Sequence, residues 1–297
     1  MAENSKIEWT HHTFNPWIGC TKVHTGCAHC YAEEMMDHRY GKAKWGPQGT
    51  RVRTTDANWR KPLAWDRAAA KSGERHRVFC ASLADVFESW DGDIVDSKGR
   101  QLLREDIQGR ITMDYMRREL FQLIDATPNL DWLLLTKRPE NVRRMWPHRS
   151  GPWIKEGKAC VESWRRDNVW LGTSISDQST ANVMVPRLLE SRDLCEVLFL
   201  SAEPLVGPVS LRTGIYSSIV ESESVGTSLD GIDWVIVGGE SGIGRRPMDL
   251  GWARYLRDQC ESANVAFFMK QIDKVQEIPD DLMVRQFPTP STEPASV

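Results

Sequence analysis

The sequence of 297 residues contains no apolar run long enough to span a membrane, and its first residues, Met1 to Lys6, form no apolar signal core. It also lacks the GxSxG turn of serine hydrolases and the HExxH helix of zinc proteases. These absences exclude helical membrane proteins and two large classes of hydrolase. We therefore expect a cytoplasmic protein in a reducing environment, with no membrane partner.

A disulfide framework is also unexpected, because seven cysteines are an odd number in a long chain without a secretory signal. Four of them are scattered singly along the chain: Cys80, Cys160, Cys195 and Cys260. We expect these four to pack in the core as small apolar residues. The other three, Cys20, Cys27 and Cys30, lie close together in a C-x6-C-x2-C pattern.

The three-cysteine segment has the composition of a metal-binding loop. Gly19 and Gly26 allow tight turns, so a short loop can wrap three thiolates around one soft metal centre. Three thiolates leave one iron of a four-iron cluster open to a cofactor or substrate, which indicates chemistry rather than a closed structural site. Two alternatives remain, a structural Cys3His zinc site and buried cysteines without a metal. The histidines available for the zinc site are His11, His12, His24, His29 and His38.

Short apolar runs, most of them followed by a helical pattern, dominate the rest of the sequence. They lie at residues 77–82, 130–137, 168–174, 196–203, 233–240 and 265–271, and the helical patterns at residues 113–126, 141–146, 181–191 and 251–262. Continuous apolar runs are typical of strands covered on both faces, as in parallel sheets. With a first strand at residues 15–19, the pattern predicts about seven βα units. We therefore predict an α/β fold with a parallel (β/α) barrel, full or partial, of the TIM-barrel type.

The predicted barrel forms a single domain over residues 1–272. Two basic segments, at about residues 41–77 and 146–167, are long enough to be inserted arms that act as lids or bind substrate. The serine-rich residues 213–231 are expected to form a mobile loop. Residues 273–297 form a C-terminal tail, which we expect to be disordered after Pro288.

The carboxyl ends of the predicted strands are unusually polar. In a parallel barrel the active site lies at this edge, so we expect these side chains to converge near the cysteine loop. They are Ser82, Asp85, Thr136, Lys137, Thr173, Ser174, Ser176, Glu203, Glu240, Ser241, Lys270 and Gln271. Taken singly, each is equally well explained as a solvated loop residue or as half of an ion pair. The glycine-rich Gly238 to Arg246 lacks the Lys-Ser/Thr of a P-loop and the spacing of a dinucleotide fingerprint.

The net charge of −3 hides two basic segments. Eleven Lys and Arg accompany three acids between Arg39 and Arg77, and five accompany one acid between Lys137 and Arg149. The tryptophans interleaved with them are Trp45, Trp59, Trp65 and Trp146. This composition is typical of a nucleic-acid surface, because phosphates attract cations and bases stack on aromatic rings. It is equally typical of solvated loops with tryptophans packed beneath them. The candidate substrate-binding residues are Arg51, Arg53, Arg60, Lys61, Lys137, Arg138 and Arg245.

A cysteine triad after the first strand of a parallel βα barrel resembles the radical S-adenosylmethionine (radical SAM) superfamily. The usual spacing there is C-x3-C-x2-C with an aromatic residue before the last cysteine, whereas here the first gap is six residues and His29 takes that position. More closely, four segments resemble an uncharacterised family of phages and bacteria that is distantly similar to spore photoproduct lyase. They are residues 15–20, 199–205, 235–242 and 267–271, and the resemblance extends from about Ile7 to Gln271.

The resemblance implies an iron–sulfur enzyme in which Cys20, Cys27 and Cys30 bind a [4Fe-4S] cluster whose open iron binds S-adenosylmethionine. The residues expected to contact the cofactor are Ser82, Asp85, Thr173, Ser174 and Ser176. The catalytic candidates on the substrate side are Glu203, Glu240, Lys270 and Gln271. The implied reaction is DNA photoproduct repair or base modification, with flavodoxin or ferredoxin as electron donor. Two alternatives stay open: a non-catalytic zinc or iron–sulfur protein that binds nucleic acid, and a radical enzyme acting on a small nucleotide or peptide.

Overall fold

A computed structural model describes residues 5, 7–104, 109–147, 154–155, 158–159, 165–211, 229–241 and 244–289. Cys160, most of the predicted arm at residues 146–167, most of the serine-rich stretch and the chain from residue 290 onward lie outside the described residues. Within the described part, no helix is both long enough and apolar enough to cross a bilayer.

A parallel sheet of seven strands forms the centre of the fold. Its strands are β1 (His12–Thr13), β2 (His76–Cys80), β3 (Leu130–Thr136), β4 (Arg166–Ile175), β5 (Cys195–Ala202), β6 (Trp234–Gly238) and β7 (Ala266–Gln271). They pair in chain order, all parallel, and the sheet curls into a half-barrel whose edge strands are β1 and β7. The prediction of a parallel α/β fold with a partial barrel is therefore confirmed.

The strands are apolar on both faces because each face packs against a separate core. The concave face carries a cluster that includes Trp9, Phe79, Trp170, Phe199 and Trp234, with Trp9 and Phe79 in edge contact at 4.7 Å between ring centroids. The convex face packs against the helices in a larger cluster, to which the buried cysteines of β2, β5 and the last long helix belong. The predicted burial of Cys80, Cys195 and Cys260 is confirmed.

Four long helices connect the strands: α1 (Lys61–Ser72), α2 (Met113–Asp125), α3 (Gln178–Leu189) and α4 (Leu250–Ser262). Short polar side chains cap the N-termini of α2, α3 and α4, since Thr112, Asp177 and Asp249 each accept a hydrogen bond from a backbone N–H of the first turn. Gly73, at φ +73°, ends α1 in the left-handed region. The predicted positions of α2, α3 and α4 agree with the structure to within three residues.

The remaining described elements are short. The helical ones are Thr25–Cys27, Tyr31–Glu33, Glu34–Arg39, Asp56–Trp59, Pro139–Asn141, Val142–Met145, Arg192–Leu194 and Asp280–Leu282. The strands are Trp17–Ile18, Arg51–Arg53 and Ile94–Val95 in one small sheet, and the hairpins Leu103–Arg104 with Gly109–Arg110 and Ile154–Lys155 with Lys158–Ala159.

The predicted first strand at residues 15–19 is wrong, because the first strand of the main sheet is β1. Asn15 is instead buried beyond the end of β1, where its side chain accepts from the backbone N–H of Leu83. Pro16 has no N–H to donate to a sheet. The chain then turns into Trp17–Ile18, which pairs antiparallel with Arg51–Arg53.

The basic residues 41–77 do not form a free arm. They contain the strand Arg51–Arg53 and the helix α1, which connects β1 with β2 and buries Trp65 and Ala69 against the sheet. The sequence did not reveal this helix because only a narrow stripe of apolar residues interrupts its charged surface.

The predicted domain boundary at residue 272 is too early. The backbone N–H of Met269 in β7 donates to the carbonyl of Val284, and Phe268 pairs with Arg285 in an antiparallel bridge. Leu282 is fully buried in the core on the convex face. Residues 280–287 therefore belong to the domain, although their polar composition suggested a tail.

Candidate functional site

A cavity of about 1110 Å³ opens at the carboxyl ends of the strands. Its lining includes Cys20, Cys27, Cys30, Ser82, Asp85, Thr136, Lys137, Arg138, Ser174, Ser201, Glu203, Glu240, Ser241, Lys270 and Gln271. Trp9 and Phe79 from the concave core also face it, and residues from the segment 274–285 form a further wall. The cysteine loop and most of the polar strand ends therefore meet in one place, as predicted from the parallel order of the strands.

Two glycines allow the cysteine loop to lie against the barrel. Gly19 has a φ of +115°, and a Cβ there would lie 2.2 Å from the carbonyl oxygen of Thr50. A Cβ at Gly26 would lie 2.3 Å from the Oγ of Ser176. Each distance is too short for a side chain, so only glycine permits these approaches. The loop then runs through the short helix Thr25–Cys27 to Cys30, which precedes the helix Tyr31–Glu33.

The thiols of the loop are largely withdrawn from water. Burial raises the pKa of Cys20 to about 12, while the guanidinium of Arg138, with its Nη1 3.7 Å from the sulfur, acts in the opposite direction. Burial also raises the pKa of Cys30, and Lys137 partly offsets this effect. A metal that binds these sulfurs must therefore displace their protons, with two cations nearby to stabilise the thiolates.

No three His, Cys, Asp or Glu side chains of the described residues converge as they would around a single metal ion. Of the histidines in the loop, His29 contacts Glu240, and the Nδ1 of His24 accepts from the backbone N–H of Gly26, while the Nε2 of His24 is buried without a hydrogen-bond partner among the described residues. Three soft thiols nevertheless line one cavity, and thiolates are the ligands of iron–sulfur clusters, in which each cysteine binds a different iron.

A buried network of charges holds the Cys20 end of the loop. Glu88 accepts two hydrogen bonds from the guanidinium of Arg51, at 2.6 and 2.8 Å, and one from the backbone N–H of Thr21 at 2.9 Å. Arg138 donates to the carbonyl of Thr21 at 2.7 Å and to Asp85 at 2.9 Å. Glu88 was missed in the sequence, because it follows β2 without any recognisable motif.

The two arginines of this network, both predicted to bind substrate, have partners within the protein. The side chain of Arg51 is 0% exposed and lies 3.9 Å from the ring centroid of Trp90. Arg138 borders the cavity, but its guanidinium is committed to Asp85, Glu88 and the cysteine loop. The guanidinium groups of both residues are therefore paired within the protein, which leaves their contact with a polynucleotide a prediction without structural support.

A carboxylate and an ammonium group form the opposite wall of the cavity. Glu203, which follows β5, pairs with Lys270 of β7 at 2.7 Å and also accepts from Ser201 at 3.2 Å. Gln271 donates from its amide nitrogen to the carbonyl of Gly239, which fixes its side chain between β6 and β7. Three of the four predicted catalytic candidates therefore surround the end of β6.

The fourth candidate, Glu240, contacts the cysteine loop directly. Its carboxylate accepts from the Nδ1–H of His29 at 2.8 Å and from the backbone and side chain of Arg246. Hydrogen bonds from Arg246 and His29 outweigh the effect of burial and lower the pKa of Glu240 to about 2.

The five residues predicted to contact a cofactor divide into two groups. Ser82, Asp85 and Ser174 line the cavity, although the carboxylate of Asp85 already accepts from Thr136, Lys137 and Arg138. Thr173 and Ser176 are fully buried outside the lining. The hydroxyl of Thr173 donates to the carbonyl of Thr136, and Ser176 packs against Gly26, so both support the site rather than face it.

The remaining predicted substrate-binding residues occupy different places. Lys137 lines the cavity and donates to Ser174 at 3.0 Å. Arg53 pairs with Asp56 and Glu119, and Arg245 pairs with Asp273. Arg60 and Lys61 are exposed at the start of α1. Since a crossover helix runs antiparallel to its strands, they lie toward the carboxyl edge of the sheet, although neither is among the residues that line the cavity.

Of the four described tryptophans of the basic segments, Trp45, Trp59, Trp65 and Trp146, only Trp45 borders the cavity. Trp65 and Trp146 are buried in the core, and the ring of Trp59 is covered by Arg53 and Phe14. Burial of Trp65 and Trp146 leaves no ring surface for a base, whereas Trp59 is half-buried and Trp45 borders the cavity.

The sequence matches the family described as Protein of unknown function (DUF5131) over residues 4–285, and the chain belongs to this family. No curated protein and no solved structure matches it.

Proposed function

Starting from a family without a known activity, we propose that the protein is an iron–sulfur enzyme of the radical SAM type that acts on nucleic acid. The proposal rests mainly on one observation: three cysteines line the same cavity as the polar carboxyl ends of a parallel half-barrel. Cys20, Cys27 and Cys30 would hold a [4Fe-4S] cluster. When bound, the cluster and S-adenosylmethionine supply radical chemistry that the side chains of the chain cannot provide.

The residues of the chain would bind the cofactor, orient the substrate and exclude water from the cavity. Ser82 and Ser174 offer hydroxyl groups to the cofactor on the side of the cysteine loop. Trp9 and Phe79 form an apolar floor that limits the access of water to a reactive intermediate. Glu203 and Lys270, as a hydrogen-bonded pair on the opposite wall, can orient a polar substrate and hold or move a proton.

The proposed substrate is a polynucleotide, with DNA favoured, and the proposed reaction is photoproduct repair or base modification. Its support is that Trp45 borders the cavity and supplies a ring for stacking, while Arg60 and Lys61 supply exposed charge at the start of the helix that follows β1. The chemistry needs one electron from a carrier such as flavodoxin or ferredoxin, and the free thiols suit the reducing cytoplasm.

A radical enzyme acting on a small nucleotide or peptide is the second candidate. The burial of Arg51 and Arg138 favours it, because two of the cations expected to bind a polynucleotide are unavailable. The enclosure of the cavity by residues of the segment 274–285 favours it as well.

The metal content tests the proposal directly. After anaerobic purification and reconstitution we expect about four irons and four sulfides per chain, with charge-transfer absorption at about 400 nm. Alanine at Cys20, Cys27 or Cys30 should abolish cluster retention, whereas Cys260→Ala, as the matched control, should keep the iron. Stoichiometric zinc with no iron after reconstitution would refute the iron–sulfur proposal.

A further inference from the structure

The carboxylate of Glu240 is a junction between the barrel and the cysteine loop. It lies directly beyond β6, only 6% exposed, and His29 lies between Cys27 and Cys30 in the loop. The contact between His29 and Glu240 therefore joins positions 211 residues apart in the sequence. A carboxylate with these hydrogen bonds has little capacity left to act on a substrate.

Arg246 strengthens the same junction from the other side. Its backbone N–H and its Nη2 donate to Glu240 at 2.8 Å each, and Nη2 also approaches the carbonyl of Thr25 at 3.4 Å. The carboxylate and guanidinium together contact both sides of Cys27, since Thr25 precedes this cysteine and His29 follows it. Charge-assisted hydrogen bonds of this kind are stronger than neutral ones.

The Cys20 end of the loop is held independently. Gly19 donates its backbone N–H to the carbonyl of Leu83, and Thr21 contacts Glu88 and Arg138. None of these described contacts involves Glu240, His29 or Arg246. The loop is therefore attached separately at the two ends of the C-x6-C gap. The second half is also held by the hydroxyl of Thr25, which donates to Asp177 at 3.2 Å, and by the hydroxyl of Tyr31, which donates to the carbonyl of Ser82 at 3.1 Å.

We propose that Glu240 is a positioning residue that, with Arg246, fixes the Cys27–Cys30 half of the loop through His29, and that it is not a catalytic residue. Removing the carboxylate frees Cys27 and Cys30 without freeing Cys20. The inference rests on the proposed function in one respect, namely that the fixed half of the loop serves to hold the cluster. The attachment itself is measurable without any metal.

Site-resolved alkylation tests the attachment in the full-length chain after removal of metal under anaerobic conditions. Iodoacetamide labelling, followed by peptide mass spectrometry, gives a separate rate for each cysteine. In Glu240→Gln and in His29→Phe we expect the rates at Cys27 and Cys30 to rise about tenfold, as for a local opening that loses a charged hydrogen bond. The rate at Cys20 should not change.

Two further variants make the result specific. Glu203→Gln, which alters the other carboxylate beyond a strand end, should leave all three rates unchanged. The double variant Glu240→Gln/His29→Phe should exceed neither single variant, because both remove the same contact. Unchanged rates at Cys27 and Cys30 would overturn the inference, and so would a parallel rise at all three cysteines.

Iron loading separates this inference from the proposed function. If wild-type protein loads iron, Glu240→Gln and His29→Phe should release it to a chelator faster than Glu203→Gln does. Equal rates of release would overturn the role of Glu240 in holding the cluster. If wild-type protein never loads iron while the alkylation pattern is as expected, the proposed function fails and the attachment stands.

Discussion

At the scale of single residues, the ion pair of Arg51 with Glu88 places two full charges in the interior beside the cysteine loop. Both side chains are at most 2% exposed, and Thr21 and Arg138 use the remaining capacity of the carboxylate. A buried pair of this kind adds little net stability over an apolar pair, but removal of one partner leaves an uncompensated charge. The pair of Arg51 and Glu88 instead holds the cysteine loop in one position through Thr21.

Replacement of Glu88 by Gln should therefore lower the free energy of unfolding by about 3–5 kcal/mol, because the guanidinium of Arg51 stays buried without a counter-charge. Equilibrium denaturation with urea measures this change. The matched control is Glu140→Gln, which breaks an exposed pair with Arg187 and should cost less than about 1 kcal/mol. Similar losses in the two variants would contradict the importance of the buried network.

Two neighbouring histidines make stability depend on pH. Burial is the main cause that lowers the pKa of His11 and of His12 from 6.5 to about 4 in the folded protein, with neighbouring positive charges as lesser causes. The unfolded chain takes up protons below about pH 6.5 that the folded chain refuses. The stabilising contribution is therefore complete above pH 6.5 and should be lost as the pH falls toward 4.

The variant His12→Phe tests this dependence, because a phenyl ring can keep the stacking of His12 on Trp65, whose ring centroids lie 4.3 Å apart. We expect the loss of stability between pH 6.5 and 4 to be smaller in the variant than in the wild type. Urea denaturation at several pH values gives the slope of the free energy of unfolding against pH for each of the two proteins. Parallel slopes would show that His12 does not contribute.

At the scale of elements, the segment after β7 completes the open edge of the half-barrel. Phe287 packs against Trp234 and Phe268, with centroid distances of 5.4 Å to each. Arg285 pairs with Glu8 at 2.7 Å, which joins this segment to the residues before β1. The two edge strands are therefore connected through side chains of the flanking segments.

Adjacent positions of this segment should respond differently to truncation. Leu282→Ala should lower the free energy of unfolding by about 2–5 kcal/mol, because it leaves a cavity in the core. Met283→Ala, the control at a side chain that is 49% exposed, should change it by less than about 0.5 kcal/mol. Equal, negligible effects would indicate that residues 273–289 are a separate tail after all.

At the scale of the whole molecule, charge is distributed unevenly along α1. Arg60 and Lys61 lie at its start, toward the carboxyl edge of the sheet, whereas Arg67 and Lys71 lie further along the helix toward the amino edge. A polynucleotide that crosses the cavity would contact the first pair and not the second. The helix therefore supplies its own matched control.

Reversal of the first pair, Arg60→Glu with Lys61→Glu, should weaken DNA binding and reduce the slope of log K against log salt by up to about 2, since each phosphate contact contributes about 0.9. Reversal of Arg67 and Lys71 should have a much smaller effect. Titration of iron-loaded protein with single- and double-stranded DNA at several salt concentrations measures both slopes. Equal effects, or absence of binding, would favour the small-substrate candidate.

The sequence alone determined the parts of this protein that depend on local pattern. Runs that are apolar at every position predict strands covered on both faces, so the parallel sheet and the edge where polar residues collect could be inferred. The spacing of Cys20, Cys27 and Cys30, with glycines at tight turns, likewise identified the loop. The reaction, by contrast, was inferred from a resemblance and not from any local pattern.

Only the tertiary structure decided which charges are paired. Arg51 meets Glu88 across 37 residues, and His29 meets Glu240 across 211, and no local pattern connects such positions. The surroundings of a basic side chain decide whether its charge is available: Arg60 is exposed to solvent, whereas Arg51, nine positions earlier, is held by a buried carboxylate. The energy of a charge depends on its burial and its partner, and both are properties of the folded chain.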